Sequence, residues 1–287
     1  MALIFAVSLA ALCGCSTREV RPLREDRVLL NVSYEEEVRL FTRLGFTNRI
    51  ATGRGWKGRD SLGTRLFLSV EPGPPHAQVQ SERTQKLIIV TADGTQIEPW
   101  HFPANERVTD DGKVAAWEDA SQAGRWQVRN GEWLPPDCGV EDVSGDWIAI
   151  GKVGGAPWLA RLDTPNVVAA ELPGSPGRIA IYTSGQTVHV FTRRGWHNNE
   201  GPMRYLVYDF ARGSKPIKDI VMPKWARITL DMDPETGLVV INDNNSFWGR
   251  SWLYDLNSGK RKWISTSYPT VIVKKDVAEK WIELTKP

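Results

Sequence analysis

From about residue 28 onward, short runs of β-branched and aromatic residues alternate with clusters of Gly, Pro, Asn and Asp. Lys86 to Thr91 (KLIIVT), Trp147 to Ile150 (WIAI), Arg178 to Thr183 (RIAIYT), Val188 to Thr192 (VHVFT), Tyr205 to Tyr208 (YLVY), Gly237 to Asn242 (GLVVIN) and Trp252 to Tyr254 (WLY) have the length and residue types of strands. No stretch sustains a helical period. The best candidate, Tyr34 to Leu44 (YEEEVRLFTRL), is short and reads equally well as a strand after an acidic loop. The pattern predicts an all-β domain over 28–287.

The strands recur at a fixed interval. Arg161-Leu162-Asp163, Val207-Tyr208-Asp209 and Leu253-Tyr254-Asp255 each end a strand on Asp, and 46 residues separate each Asp from the next. Gly213 and Gly259, also 46 apart, follow the last two. Asp93-Gly94 and Asn130-Gly131 are further two-residue turn signals. Five hairpins at intervals of about 40 residues suit one sheet per interval, the span of a propeller blade. The strand at Arg27 to Val32, or that at Val38 to Thr42, is the natural partner of Thr270 to Val273 (TVIV) and Lys280 to Leu284 (KWIEL), a unit left unfinished at the other end. That pairing would close a ring and hide its edges. The expected fold is therefore a β-propeller of about six blades, with five or seven as neighbours and paired β-sandwiches as the alternative. Trp252 to Ile264 (WLYDLNSGKRKWI) resembles the outer hairpin of WD-like and quinoprotein-type blades. Ser175 to Ala180 (SPGRIA) resembles the inner-strand opening of Tol-associated propellers.

The amino terminus carries a different signal. Residues 2 to 12 (ALIFAVSLAAL) are apolar, too few to cross a bilayer as a helix but of the length of a signal-peptide core, although no Lys or Arg precedes them. They lead into Leu12-Cys13-Gly14-Cys15-Ser16, which resembles the lipobox of bacterial lipoproteins. The resemblance implies a signal peptide over 1–14, cleavage before Cys15, acylation of Cys15, and membrane lipid as the first partner. Two or three acyl chains anchor durably, each buried methylene contributing about 0.8 kcal/mol. Ser16 stands where the inner-membrane retention signal of the proteobacterial pattern has Asp, which points to the outer membrane. Charged residues 16–27 with Pro22 read as a solvated tether.

Charge and composition narrow the partners. Lys plus Arg number 36 against 34 Asp plus Glu, so no broad basic field exists for nucleic acid. Thirteen Trp supply packing area in sheets and can also serve protein or carbohydrate contacts. The four His have no zinc-site spacing, Gly-x-Ser-x-Gly is missing, and Gly151 to Gly155 lack the ending of a phosphate loop; no catalytic residue, cofactor or metal is expected. Asp243 to Asn245 would offer calcium one carboxylate among amides, a weak set. Cys138 lies in a turn-like stretch and reads as a packing residue. Asp146, Asp231 and Asp233 read as turn residues or solvated charges.

The candidate binding residues are in two long loops between the second and third strands of successive units. They are Trp196, His197, Asn198, Asn199 and Glu200 in one, and Asp243, Asn244, Asn245, Trp248 and Arg250 in the other. A propeller would place both loops on one face, mixing aromatic planes with amides and acids suited to a sugar or peptide. The expectation is an anchored scaffold that binds a protein or glycan of the cell envelope. The alternative is a glycan-cleaving enzyme with carboxylates dispersed over several blades.

Overall fold

The computed structural model describes residues 20–23, 26–32, 34–44, 66–70, 84–101, 106–109, 114–174, 179–193, 201–243, 250–265 and 270–287. The chain opens with β1 (Val20–Pro22), β2 (Arg27–Asn31) and α1 (Tyr34–Arg43), and ends with β21 (Thr270–Lys274) and α2 (Lys275–Leu284). Sheet 1 joins these ends in the order β1-β2-β21. Sheet 2 holds β3 (Leu66–Val70), β4 (Thr84–Thr91) and β5 (Gly94–His101), and sheet 3 holds β6 (Glu106–Val108), β7 (Val114–Asp119) and β8 (Arg125–Val128). Sheet 4 has β9 (Cys138–Ser144), β10 (Trp147–Lys152), β11 (Trp158–Arg161) and β12 (Ala170–Glu171). Sheet 5 has β13 (Ile179–Ser184), β14 (Thr187–Thr192), β15 (Arg204–Asp209) and β16 (Pro216–Val221). Sheet 6 has β17 (Ile228–Asp233), β18 (Leu238–Asn242), β19 (Ser251–Asp255) and β20 (Arg261–Ser265).

Each sheet from 2 to 6 is an antiparallel meander, and sheets 3 to 6, then 6 with 1 and 1 with 2, pack face to face. Val128 and Trp126 of sheet 3 meet Ile148 and Trp158 of sheet 4. Ala149 and Leu159 of sheet 4 meet Ile181 and Val190 of sheet 5, and Phe191 and Tyr205 of sheet 5 meet Val239 and Ile241 of sheet 6. Leu238 and Val240 then meet Leu29 and Ile272 of sheet 1, whose other face shares a core with Val90 of sheet 2. Meanders packed in chain order and closed by the two chain ends make an all-β propeller, with six sheets among the described residues. Burial falls from centre to rim: β18 is buried along its whole length, whereas the outer strand β16 alternates exposed and half-buried positions.

The recurring Asp has a local reason. Asp209 Oδ1 accepts the Ala211 N–H at 3.2 Å, and Asp255 Oδ1 accepts the Asn257 N–H at 2.9 Å, so each carboxylate caps the turn that follows its strand. Gly259 completes the second turn at φ 69°, a left-handed conformation that suits glycine.

Innermost strands are laced together by acceptors on their side chains. Asp142 Oδ2 accepts the Ile181 N–H at 3.0 Å, Ser144 Oγ accepts the Thr183 N–H at 3.1 Å, and Asp231 Oδ2 accepts the Ile272 N–H at 2.6 Å. Closure adds a buried ion pair. Arg27, 3% exposed, donates from Nε to Asp233 Oδ2 at 2.9 Å and also pairs with Asp26 and Glu235. Burial alone would weaken the Arg27 charge, but the three carboxylates outweigh it and hold its pKa above the ordinary value. Asp231 and Asp233 are therefore not solvated charges: they are 5% and 1% exposed and hold the ring together, while Asp233 also serves as the expected turn residue, its Oδ1 accepting the Glu235 N–H at 3.1 Å.

Two segments correct the strand reading. Lys280 to Leu284 is the end of helix α2 because Val277, Ala278 and Trp281 share one helical face, and that face is buried against sheets 1 and 2. Tyr34 to Arg43 is helix α1, whose buried Glu36 and Leu40 lie one turn apart toward α2. Arg39 Nη1 and Arg43 Nη1 donate to the Thr285 and Glu283 carbonyls, satisfying acceptors that the end of α2 leaves open. Val20–Pro22, within the segment expected as a tether, pairs with β2 as the outer strand of sheet 1.

Two stability predictions follow from these burials. Arg27→Ala leaves Asp233 charged and enclosed, and should cost about 3–5 kcal/mol in a urea unfolding titration; a loss under about 1 kcal/mol would mean closure does not depend on the pair. His189 is buried with Nδ1 2.7 Å from Tyr205 Oη and Nε2 3.1 Å from Thr187 Oγ1, and burial, aided by the Lys218 charge, lowers its pKa to about 4. Below the unfolded value of about 6.5 the unfolded chain takes a proton that the folded chain refuses. Stability is thus fully present above about pH 6.5 and declines by about 3 kcal/mol as pH falls through 4. His189→Gln should flatten the loss of urea midpoint between pH 7 and pH 4.5; an unchanged slope would refute this.

Candidate functional site

An open groove of about 750 Å³ lies between sheets 3 and 4. The strand register explains its position. Cys138 at the start of β9 pairs with Lys152 at the end of β10, and Trp158 at the start of β11 pairs with Glu171 at the end of β12, so these four positions reach the same face of the ring. The wall opposite is Arg125 of β8 with Trp133 and Pro135 from the segment leading to β9.

Arg125 holds its guanidinium 5.3 Å over the Trp133 ring and donates from Nη2 to the Leu134 carbonyl at 3.1 Å. Its Nε is buried and makes no hydrogen bond. Asn166 Nδ2 donates to Glu132 Oε2 at 3.0 Å and lies 3.3 Å from the Trp133 carbonyl, fixing the Trp133 segment to the loop of sheet 4. Lys152 Nζ stands 3.6 Å from Asp137 Oδ2, a half-exposed pair that leaves the ammonium open to solvent. The groove thus offers indole surfaces, two cations, a carboxylate at Glu171 and an amide at Asn166. That set can stack on and orient a ligand.

Cys138 belongs to the floor and not to the chemistry. It is 7% exposed, and burial, with the charge and hydrogen bond of Asp137, pushes its thiol up to about 11, so it stays protonated at neutral pH. Among the described residues, no cluster of three or more His, Cys, Asp or Glu is placed to hold a metal ion, and no helix is long and apolar enough to cross a membrane.

Of the residues expected in the loop site, Asp243 and Arg250 are described, and they meet. Asp243 Oδ1 accepts the Arg250 N–H at 3.0 Å, while Oδ2 accepts from Arg250 Nε at 2.8 Å and Trp252 Nε1 at 3.1 Å. The carboxylate cinches the base of its loop and is committed to these donors, which removes the single acid of the weak calcium set. Cys15, Trp196, His197, Asn198, Asn199, Glu200, Asn244, Asn245 and Trp248 lie outside the described residues. The groove opens at the end of the ring where β14 ends and β15 begins and where β18 ends and β19 begins. Sequence reading missed it. Arg125, Trp133 and Glu171 belong to two different sheets and carry no local motif; the short Gly154-Gly155 connection, which leaves the space open, was the available signal.

No family model matches this chain, and no curated protein does. Among solved structures, the β-propeller domain of the Trilobed protease from Pyrococcus furiosus is 10% identical with TM-score 0.28, over 71% of this chain and 55% of that one. Apo AztD from Citrobacter koseri is 10% identical with TM-score 0.26, over 72% and 60%. The periplasmic gluconolactonase PpgL of Pseudomonas aeruginosa is 14% identical with TM-score 0.31, over 75% and 87%. The chain spans less than two thirds of the length of the first two. The propeller class rests on the sheet order, packing and closure of this chain itself.

The buried thiol supplies a direct check. Alkylation at Cys138, followed by peptide mass spectrometry at pH 7.5, should be at least about a hundredfold slower in the folded protein than in urea, since the thiolate is the reacting form. Equal rates would place Cys138 among accessible nucleophiles.

Proposed function

We propose that this chain is a surface-tethered propeller, held by acyl chains on Cys15 at a bacterial envelope membrane, with the outer membrane favoured by Ser16, and that its groove binds a protein or glycan of the envelope. The observation that carries the binding reading is the pairing of Trp133 and Trp158 with Arg125, Lys152 and Glu171 in one open groove. Indoles provide large contact area at low entropic cost, while a few fixed polar groups set orientation. The tether is supported by the apolar segment 2–12 and the lipobox ending at Cys15.

Glycan cleavage requires two carboxyl groups facing each other about 5–10 Å apart across the substrate. The inner-strand carboxylates Asp142, Asp231 and Asp233 are instead acceptors within the frame, and among the described residues the groove is lined by a single carboxylate, Glu171. Binding is therefore the reading favoured here.

The anchor is tested by mass spectrometry of the amino-terminal peptide from protein made in a bacterial host: a diacylated or triacylated Cys15 is expected, lost in Cys15→Ala. An unmodified terminus would remove the anchor from the proposal. The groove is tested in living cells with a photoreactive residue at Val168, which is 52% exposed and lines it, against one at Ile217 on sheet 5. An adduct specific to Val168 is expected, falling about tenfold in Trp133→Ala, as loss of an aromatic anchor costs about 1.4 kcal/mol or more. Digestion by a protease or by a glycosidase then assigns its class. Equal labelling at both positions would refute the groove.

A further inference from the structure

The exit of the tether and the chemistry of sheet 6 point to a second surface. Val20 of β1 pairs with Leu30, and the adjoining Asn31 pairs with Thr270, so the chain enters the propeller at the end of sheet 1 where β21 begins. That end coincides with the start of β17. At the other end Arg27, opposite Lys274, bonds Asp233 at the close of β17, and Asp231 bonds Ile272 between them. Trp225, in the loop that leads into β17, and Ser251 at the start of β19 therefore lie toward the side from which the tether leaves.

Five residue steps separate Cys15 from Val20, a reach of at most about 17 Å when fully extended. Sheet 6 packs directly on sheet 1 through Leu238, Val240, Leu29 and Ile272, a separation of about 10 Å between sheets. An acylated Cys15 would thus hold the outer flank of sheet 6 close to the lipid headgroups.

That flank carries interfacial chemistry. The Arg261 guanidinium lies 4.7 Å from the Trp225 ring and 4.3 Å from the Trp252 ring, against a pair of indoles 5.9 Å apart on the face of sheet 6 that turns toward sheet 5. Trp263, across from Trp252 in the sheet, is 50% exposed, and Arg250 stands 6.0 Å over Trp252 on the other side. Among the described residues no carboxylate pairs with Arg261. An exposed Trp beside a cation with no carboxylate partner is the composition found at the boundary between bilayer and water, where indoles sit at headgroup level and basic side chains meet anionic lipids.

We propose that the flank formed by Trp225, Trp252, Trp263 and Arg261 is a membrane-contact surface that takes the phosphate of anionic lipid headgroups. It rests on the reading that Cys15 is acylated. The tether would then set the orientation as well as the address.

The test uses acylated full-length protein reconstituted into vesicles of zwitterionic lipid with or without 30% anionic lipid, with bromine-labelled acyl chains as tryptophan quenchers. Quenching should rise with the anionic fraction, lose its Trp263 share in Trp263→Phe, and require about fivefold more anionic lipid in Arg261→Gln, the effect expected for one basic side chain at the surface. Arg261→Lys, which keeps the charge, should retain at least half of the response. Quenching that ignores both lipid charge and the Trp263 and Arg261 substitutions would overturn the proposal. So would its abolition by millimolar inorganic phosphate, which would make this a site for a free anion. Acylation is read from the mass of each preparation, so failure of the anchor is told apart from failure of the flank.

Discussion

Arg27 and Asp233 lie 206 residues apart in sequence and 2.9 Å apart in space, and the ring depends on bringing them together. β2 and β21 come from opposite ends of the chain, so their pairing closes the ring over every intervening sheet. Closing so long a loop carries an entropic cost that no local contact repays. The closing sheet therefore concentrates its interactions: five paired positions, a buried guanidinium with three carboxylates, and a core in which Trp281 is fully enclosed. Edges that would otherwise offer unpaired backbone to another chain are hidden in the same step.

The helices give this sheet its own character. Sheets 4, 5 and 6 finish with an outer fourth strand, whereas sheet 1 has three strands and is covered by α1 and α2. The Trp281 indole donates to Glu36 at 3.4 Å, so a polar contact lies inside that apolar wedge. The wedge fills the space between sheets 1 and 2 that a fourth strand would not. It also ties the tether end of the domain to the chain terminus through Arg39 and Arg43.

Tryptophan is divided between two tasks. Trp126, Trp158 and Trp281 are buried and pack sheets together. Trp133, Trp225 and Trp252 keep part of their rings at the surface, each with a guanidinium 4 to 6 Å from the ring. A planar cation on an indole loses little freedom when it meets a ligand, since its orientation is already fixed. The groove between sheets 3 and 4 and the flank of sheet 6 share this construction at different places on the ring, which suits a scaffold presenting separate surfaces to separate neighbours.

The all-β class, the hairpins and the pairing of the two ends were legible because they depend on short-range signals: runs of β-branched residues, Asp and Gly at turns, and a repeat of 46 residues. Helix α2 was not legible as such. In Lys280 to Leu284 a five-residue view shows aromatic and β-branched types, and only the longer spacing of Val277, Ala278 and Trp281 exposes the helical face. Asp231 and Asp233 read as turn residues or solvated charges because a carboxylate near a strand end usually is one or the other; the partners that bury them, Ile272 and Arg27, come from other parts of the chain. The resemblance of Leu12 to Ser16 to a lipobox is carried by adjacent residues alone. Sequence alone thus determined what local backbone preference and linear motifs can encode: strands, turns, their repetition, and the candidate anchor. The tertiary structure decided which charges are buried, where the groove opens and which sheets flank the entry of β1, because each of those depends on residues that only the closed ring brings together.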